Sequence, residues 1–195
     1  MTLFLSPGAC SHAGHMALIE AGIPYTTEKV NLKSHTYSGG DYYAVNPKGA
    51  VPALKLNDGQ LLTENAAILQ FIADQNPKAG LAPAAGEFAR YRLQEWLSYL
   101  SSEVHKSFSP LFRGPAPDEK EKAIERLIKV LAMPAATLAK SDFLLGSQVS
   151  VADFYLYVML SWAAKFGIKL DPALERFHAR VKARPSAQEA AKRED

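Results

Sequence analysis

The sequence predicts a small α/β domain followed by a larger all-α domain. Three observations carry this: strand and helix signals alternate over the first 75 residues, a stretch with two prolines and two glycines fills 76–86, and every apolar pattern beyond it has helical spacing. The boundaries fall at 1–76 for the first domain, 77–86 for a linker and 87–195 for the second.

Thr2 to Leu5 is a short apolar run closed by Ser6-Pro7-Gly8, which reads as a strand entering a loop. Ala13, Met16, Ala17 and Ile19 to Ala21 recur at helical spacing, and Gly22 ends that helix. Tyr25 to Val30 is a second strand. Val51 to Leu56 and Gln60 to Thr63 flank Asn57-Asp58-Gly59, a strong hairpin signal. Ala66, Ile68, Leu69, Ile72 and Ala73 then mark an amphipathic helix. In the second half, Arg90 to Phe108 and Glu119 to Ala139 read as long helices, with Pro134 expected to kink or shorten the latter. Val151 to Phe166 is apolar nearly all round, as a central buried helix would be. Pro172 to Ala183 follows, and Pro185 opens a tail helix.

Composition narrows the function classes. The 195 residues are 48% hydrophobic and 22% charged, which suits a packed globular chain. The net charge is only +2, and bases alternate with acids, as in Lys120-Glu121-Lys122, so nucleic acid is not an expected partner. Cys10 is the one cysteine, which excludes an intrachain disulfide and a Cys-rich metal site; no metal is expected. The start lacks a basic leader, and the longest apolar run, Phe154 to Ala164, is about half a membrane span. The expectation is a cytoplasmic protein with no membrane partner.

Four groups of residues could carry chemistry. Cys10 lies at the start of the first helix, where free N–H groups and the helix dipole favour a thiolate; the alternative is a small buried hydrophobe. Ala13 leaves Cys10 without a second thiol, so dithiol exchange is excluded. Pro52 directly before a strand is either an ordinary edge-strand proline or the second half of a cis Val51–Pro52 bond, turning Val51 outward to pair with an extended peptide. In Thr63-Glu64-Asn65, Thr63 could be a plain N-cap, or the helix start and Glu64 together could hold an α-amino-acid head group. Ser98, Ser101, Ser102, His105 and Ser109 form a polar stripe on a helix with an apolar opposite face: a solvated face, or one wall of a site. Ser150-Val-Ala-Asp153 reads as a structural capping box, and Trp162 and Phe166 as core or pocket aromatics.

In this order and spacing the motifs resemble the cytosolic glutathione S-transferases, most closely their bacterial beta class. The matching segments are Ser6-Pro-Gly-Ala-Cys-Ser11, Ala44-Val-Asn-Pro-Lys-Gly-Ala-Val-Pro-Ala-Leu54, Leu62-Thr-Glu-Asn65, Glu95-Trp-Leu97, Glu103-Val-His-Lys106, Pro110-Leu-Phe-Arg113 and Ser150-Val-Ala-Asp153. The resemblance implies a thioredoxin-like first domain that binds glutathione and a helical domain that supplies an electrophile pocket. It implies catalytic roles for Cys10, facing the glutathione sulfur, and for His105. Ser11 is a substitute hydroxyl. Glutathione contacts are implied for His35, Val51, Pro52, Glu64, Asn65, Ser98, Ser102, Glu103 and Lys106. His35 stands where the family often has Lys, and Ser98 where it often has Asn. Glutathione is then a cosubstrate, with no permanently bound cofactor, and a small hydrophobic electrophile is the other substrate. The resemblance also implies a homodimer in which Glu103 approaches the partner's glutathione. Side activity in thiol transfer or peroxide reduction through Cys10 is implied too. The alternatives are a non-catalytic binding protein of the same fold and a monothiol glutathione-dependent oxidoreductase.

Overall fold

The computed structural model describes residues 1–194. Its chain forms two compact units: Met1–Ala82 together with the chain from Arg184 onward, and Pro83–Ala183.

The first unit is built on a four-stranded mixed sheet in the order β2-β1-β5-β6. β1 (Thr2–Leu5) pairs in parallel with β2 (Thr26–Lys29) and antiparallel with β5 (Ala53–Lys55), which pairs antiparallel with β6 (Leu61–Thr63). β1 is central and covered on both faces, which is why Leu3, Phe4 and Leu5 are apolar in a row and all buried. Alternation sends Leu3 toward Gly14 of α1 (Ser11–Glu20) and Phe4 into an aromatic layer with Tyr37 and Tyr42. α2 (Asn65–Gln75) buries Ile68, Leu69, Ile72 and Ala73 beside α1. The irregular segment between β2 and β5 contains a minimal hairpin, β3 (Thr36–Tyr37) with β4 (Gly40–Asp41), which sequence patterning did not reveal.

In the second unit, α3 (Phe88–Tyr99), a π-helical segment (Leu100–His105) and α4 (Lys106–Phe112) follow without a break. The sequence predicts one α-helix here; the wider π turn changes the phase of the polar stripe halfway along it. α5 (Pro117–Leu138), α6 (Val151–Lys165) and α7 (Pro172–Lys182) complete the unit. α6 is buried on every side from Val151 to Leu160, so its lack of a polar face follows from its central place.

Three expectations need correction. α5 does not end early at Pro134 but continues to Leu138. A proline leaves the carbonyl four residues earlier without its helical donor, and that carbonyl, Val130 O, accepts the Tyr99 hydroxyl at 2.8 Å. Thr63 is not the cap of α2: it ends β6, and Glu64 takes the cap position with φ +73°. The tail helix α8 (Pro185–Glu194), predicted as part of the helical domain, packs instead against α1 in the first unit. Polar anchors explain this. Glu194 Oε1 meets His12 Nδ1 at 2.9 Å and His15 Nδ1 at 2.8 Å, Lys29 donates to the Glu194 carbonyl at 2.8 Å, and Arg184 pairs with Glu20. Burial pushes the Glu194 carboxyl up, but His12 and His15 outweigh it and hold it below its ordinary value.

Candidate active site

Cys10 sits where β1 has turned into α1. The loop before it is closed by Ser11, whose hydroxyl donates to Ser6 O at 3.3 Å and accepts the Ser6 N–H at 3.1 Å. Ser11 is fully buried in that task, which removes it as a substitute hydroxyl. The Cys10 thiol donates to Val51 O at 3.3 Å, and Asn65 Nδ2 donates to Cys10 O at 3.1 Å. Thus Cys10, Val51 and Asn65, far apart in sequence, meet directly.

The thiol does not behave as its helix-start position predicts. Burial pushes Cys10 up to about 12; its own backbone N–H pulls the other way, the negative charge of Glu64 adds to the rise, and the Ser11 N–H opposes it least. Desolvation therefore outweighs the helix terminus, and Cys10 is a neutral S–H donor at physiological pH.

Around it, the Val51–Pro52 bond is cis and both residues are buried. The carbonyl just before, Ala50 O, accepts from the Tyr42 hydroxyl at 2.9 Å and from Asn46 Nδ2 at 2.7 Å, which fixes the approach to Val51. Asn65 is buried, and its Oδ1 has no hydrogen-bond partner. His35, at φ +54°, stacks on Tyr43 with centroids 4.5 Å apart, and its Nδ1 is likewise buried without a partner. Gly49 lies against both rings: a Cβ there would come within 2.7 Å of Tyr43, and its φ of +64° also requires glycine. Glu64 is exposed and bonded to Lys48 Nζ at 2.5 Å.

On the second unit, Ser98, Ser102 and Lys106 are exposed. Glu103 is bound by Arg126 of α5, rather than by Lys106 one turn along its own helix. His105 Nδ1 meets the Tyr155 hydroxyl at 2.7 Å, and its ring packs 4.9 Å from Trp162. Burial, with the charge of Lys106 adding, lowers His105 to about 4. It is neutral near pH 7, so its imidazole would stabilise a thiolate as a hydrogen-bond donor and not as a cation. Trp162 is buried among Phe108, Phe112 and His105, while Phe112, half exposed, also touches Phe166. Sequence reasoning singled out neither Phe112 nor Tyr155 as a site residue. An aromatic four residues beyond Phe108, continuing the apolar stripe, was the available signal for Phe112; Tyr155 was hidden within an all-apolar helix. Asp153 accepts from Ser150 N–H, Ser150 Oγ and Leu144 N–H at 2.7–2.8 Å, the structural role its motif predicts. Among the described residues, no group of three or more His, Cys, Asp or Glu is arranged to hold a metal, and no helix is long and apolar enough to cross a membrane.

A mixed four-stranded sheet with a cis-proline before β5 and a buried thiol at the first helix, joined to an all-helical unit, defines a thiol-substrate transferase fold of the thioredoxin-like kind. The chain matches the glutathione S-transferase N-terminal domain over residues 8–75 and the C-terminal domain over residues 99–185. It is 41% identical to the glutathione S-transferase GstA of Escherichia coli O157:H7 over 97% of this chain and 96% of that protein. A sphingomonad glutathione S-transferase solved with glutathione superposes with a TM-score of 0.96 at 48% identity, covering 100% of this chain and 98% of the other. The bacterial beta class enzyme of Sphingomonas chungbukensis gives a TM-score of 0.95 at 46% identity, with coverage of 100% and 98%. The chain belongs to the glutathione S-transferase family and is a transferase.

Proposed function

We propose that this enzyme conjugates glutathione to small hydrophobic electrophiles, with Cys10 as hydrogen-bond donor to the glutathione sulfur and not as the attacking group. The observation that carries this is the setting of Cys10: its thiol is buried and donates to Val51 O at 3.3 Å, and that burial pushes its pKa up. Mixed-disulfide chemistry needs a thiolate at the protein cysteine, whereas conjugation needs one only on the ligand. On ligand binding the S–H turns from Val51 O to the glutathione sulfur, where a donor stabilises the thiolate, and binding supplies proximity.

The glutathione contacts on this reading are Val51 for the cysteinyl backbone, Glu64 and Asn65 for the γ-glutamyl end and His35 for the glycyl carboxylate. Pro52 holds Val51 in place. The unpartnered Asn65 Oδ1 and His35 Nδ1 support these assignments. Ser98, Ser102, Glu103, His105 and Lys106 would contribute from the helical unit, His105 as a neutral imidazole and Lys106 as the cation. The aromatic surface of Phe112 and Phe166 suits an apolar cosubstrate. We further infer a cytoplasmic homodimer, with the half-exposed Glu103 serving a partner's site, and sedimentation at micromolar concentration is its direct check.

The test compares two reactions of one preparation: conjugation of an aryl chloride with glutathione, and reduction of a glutathione mixed disulfide. Conjugation should dominate and persist in Cys10→Ala, reduced by about tenfold or less, the range for one lost donor of roughly 1 kcal/mol. Faster mixed-disulfide reduction in the wild type, lost in Cys10→Ala, would establish the oxidoreductase reading. Glutathione binding without turnover of either kind would establish the binding-protein reading.

A further inference from the structure

Lys48 was not among the residues that the sequence marked for the site, yet its ammonium occupies it. Nζ lies 2.5 Å from Glu64 Oε1 and 3.1 Å from Thr63 Oγ1. The backbone under each partner is fixed. Lys48 rides on a turn in which its own N–H donates to Asn46 Oδ1 at 3.1 Å and Gly49 N–H donates to Asn46 O at 2.8 Å; Asn46 itself is buried. Thr63 closes β6 in register with Ala53. Glu64 has φ +73°, a conformation L side chains rarely adopt, so the main chain sets the direction in which its side chain leaves the backbone. The result is a cradle of two acceptors, one hydroxyl and one carboxylate, filled by a primary ammonium.

The γ-glutamyl end of glutathione brings the same chemical group, a primary ammonium beside a carboxylate. We propose that Lys48 is a resident competitor for the Thr63–Glu64 cradle, displaced by the ammonium of the incoming ligand. This rests on the assignment of Glu64 to the γ-glutamyl ammonium. Both side chains of the pair are more than half exposed, 55% for Lys48 and 66% for Glu64, so the exchange costs little and is screened by salt. The toll on affinity is about two- to fivefold, the range spanned by exposed ion pairs. Its consequence is selectivity: only a ligand that carries its own ammonium replaces the charge it evicts.

Glutathione, and an analogue with a glutaryl group in place of the γ-glutamyl residue and hence no amine, are titrated into wild type, Lys48→Met, Glu64→Gln and the double variant. The titrations are run at about 0.05 M and about 0.5 M salt. Lys48→Met should tighten glutathione about two- to fivefold at low salt and less at high salt. It should leave the amine-free analogue unchanged and have no effect in the Glu64→Gln background. Glutathione binding that is unchanged or weaker in Lys48→Met, while Glu64→Gln loses affinity, overturns the proposal and leaves Glu64 in its role. The weaker case would mean that Lys48 serves the ligand carboxylate. Glutathione binding by Glu64→Gln equal to wild type removes the assignment of Glu64 itself, and the proposal with it.

Discussion

The starts of α1 and α6 pose the same problem and solve it oppositely. Each buries an acidic side chain at a helix N-terminus, Cys10 in one and Asp153 in the other. Burial pushes both up, Asp153 to about 6 and Cys10 to about 12. Asp153 receives three donors, from Leu144 N–H, Ser150 N–H and Ser150 Oγ, and is ionised at neutral pH. Cys10 meets a carbonyl, Val51 O, which can only accept, so its proton stays. A helix terminus alone does not overcome burial at either start; the two groups end on opposite sides of neutrality because an ordinary carboxyl starts at 3.8 and an ordinary thiol at 9.0. The satisfied start is a structural joint, and the protonated one is left with a hydrogen to give.

The largest effect that would break this comparison is Asp153→Ala. It leaves two buried backbone N–H groups and a buried hydroxyl without their acceptor, a loss of about 4 kcal/mol, or roughly 10 °C in Tm by calorimetry. A variant as stable as wild type would show that the three bonds carry no weight. Next is the pH dependence. Asp153 is raised from 3.8 to about 6 in the fold, so its folded form keeps a proton where the unfolded chain has lost it. Stability from this group is complete below about pH 3.8 and falls as pH rises through about 6, by up to ~3 kcal/mol. Denaturant unfolding of wild type minus Asp153→Asn, followed between those limits, should slope downward with pH; a flat or rising difference contradicts the burial argument. The smallest effect belongs to Cys10. Thiolate absorbance should show no step assignable to Cys10 between about pH 6 and 9, and Cys10→Ala should cost about 1 kcal/mol of stability. A step near neutral pH would return the thiolate reading.

Much of the first unit was legible because its signals are local. Asn57-Asp58-Gly59 announces its hairpin, Leu3-Phe4-Leu5 its central strand, and Val51-Pro52 its unusual backbone. What was not legible depends on partners distant in sequence. Pro134 looked like a helix break because nothing nearby says that Tyr99 will serve Val130 O. Cys10 looked like a thiolate because dipole position is written in the sequence and desolvation is not. His105 was misjudged for the same reason: its spacing placed it on a polar stripe, while Trp162 and Tyr155 surround it. Lys48 carries no signal of its own in the sequence, because its partner Glu64 lies 16 residues further on.

The seating of α8 has a consequence for how the protein is made. His15 is fully buried beneath Glu194, 179 residues further along the chain, so the first unit to leave the ribosome cannot be the first one completed. At ordinary synthesis rates the α1 helix waits on the order of ten seconds or more for its last neighbour. During that interval its surface for α8 is open to chaperones and to other nascent chains. The helix that bears Cys10 at its start is therefore finished only after Glu194 has been synthesised.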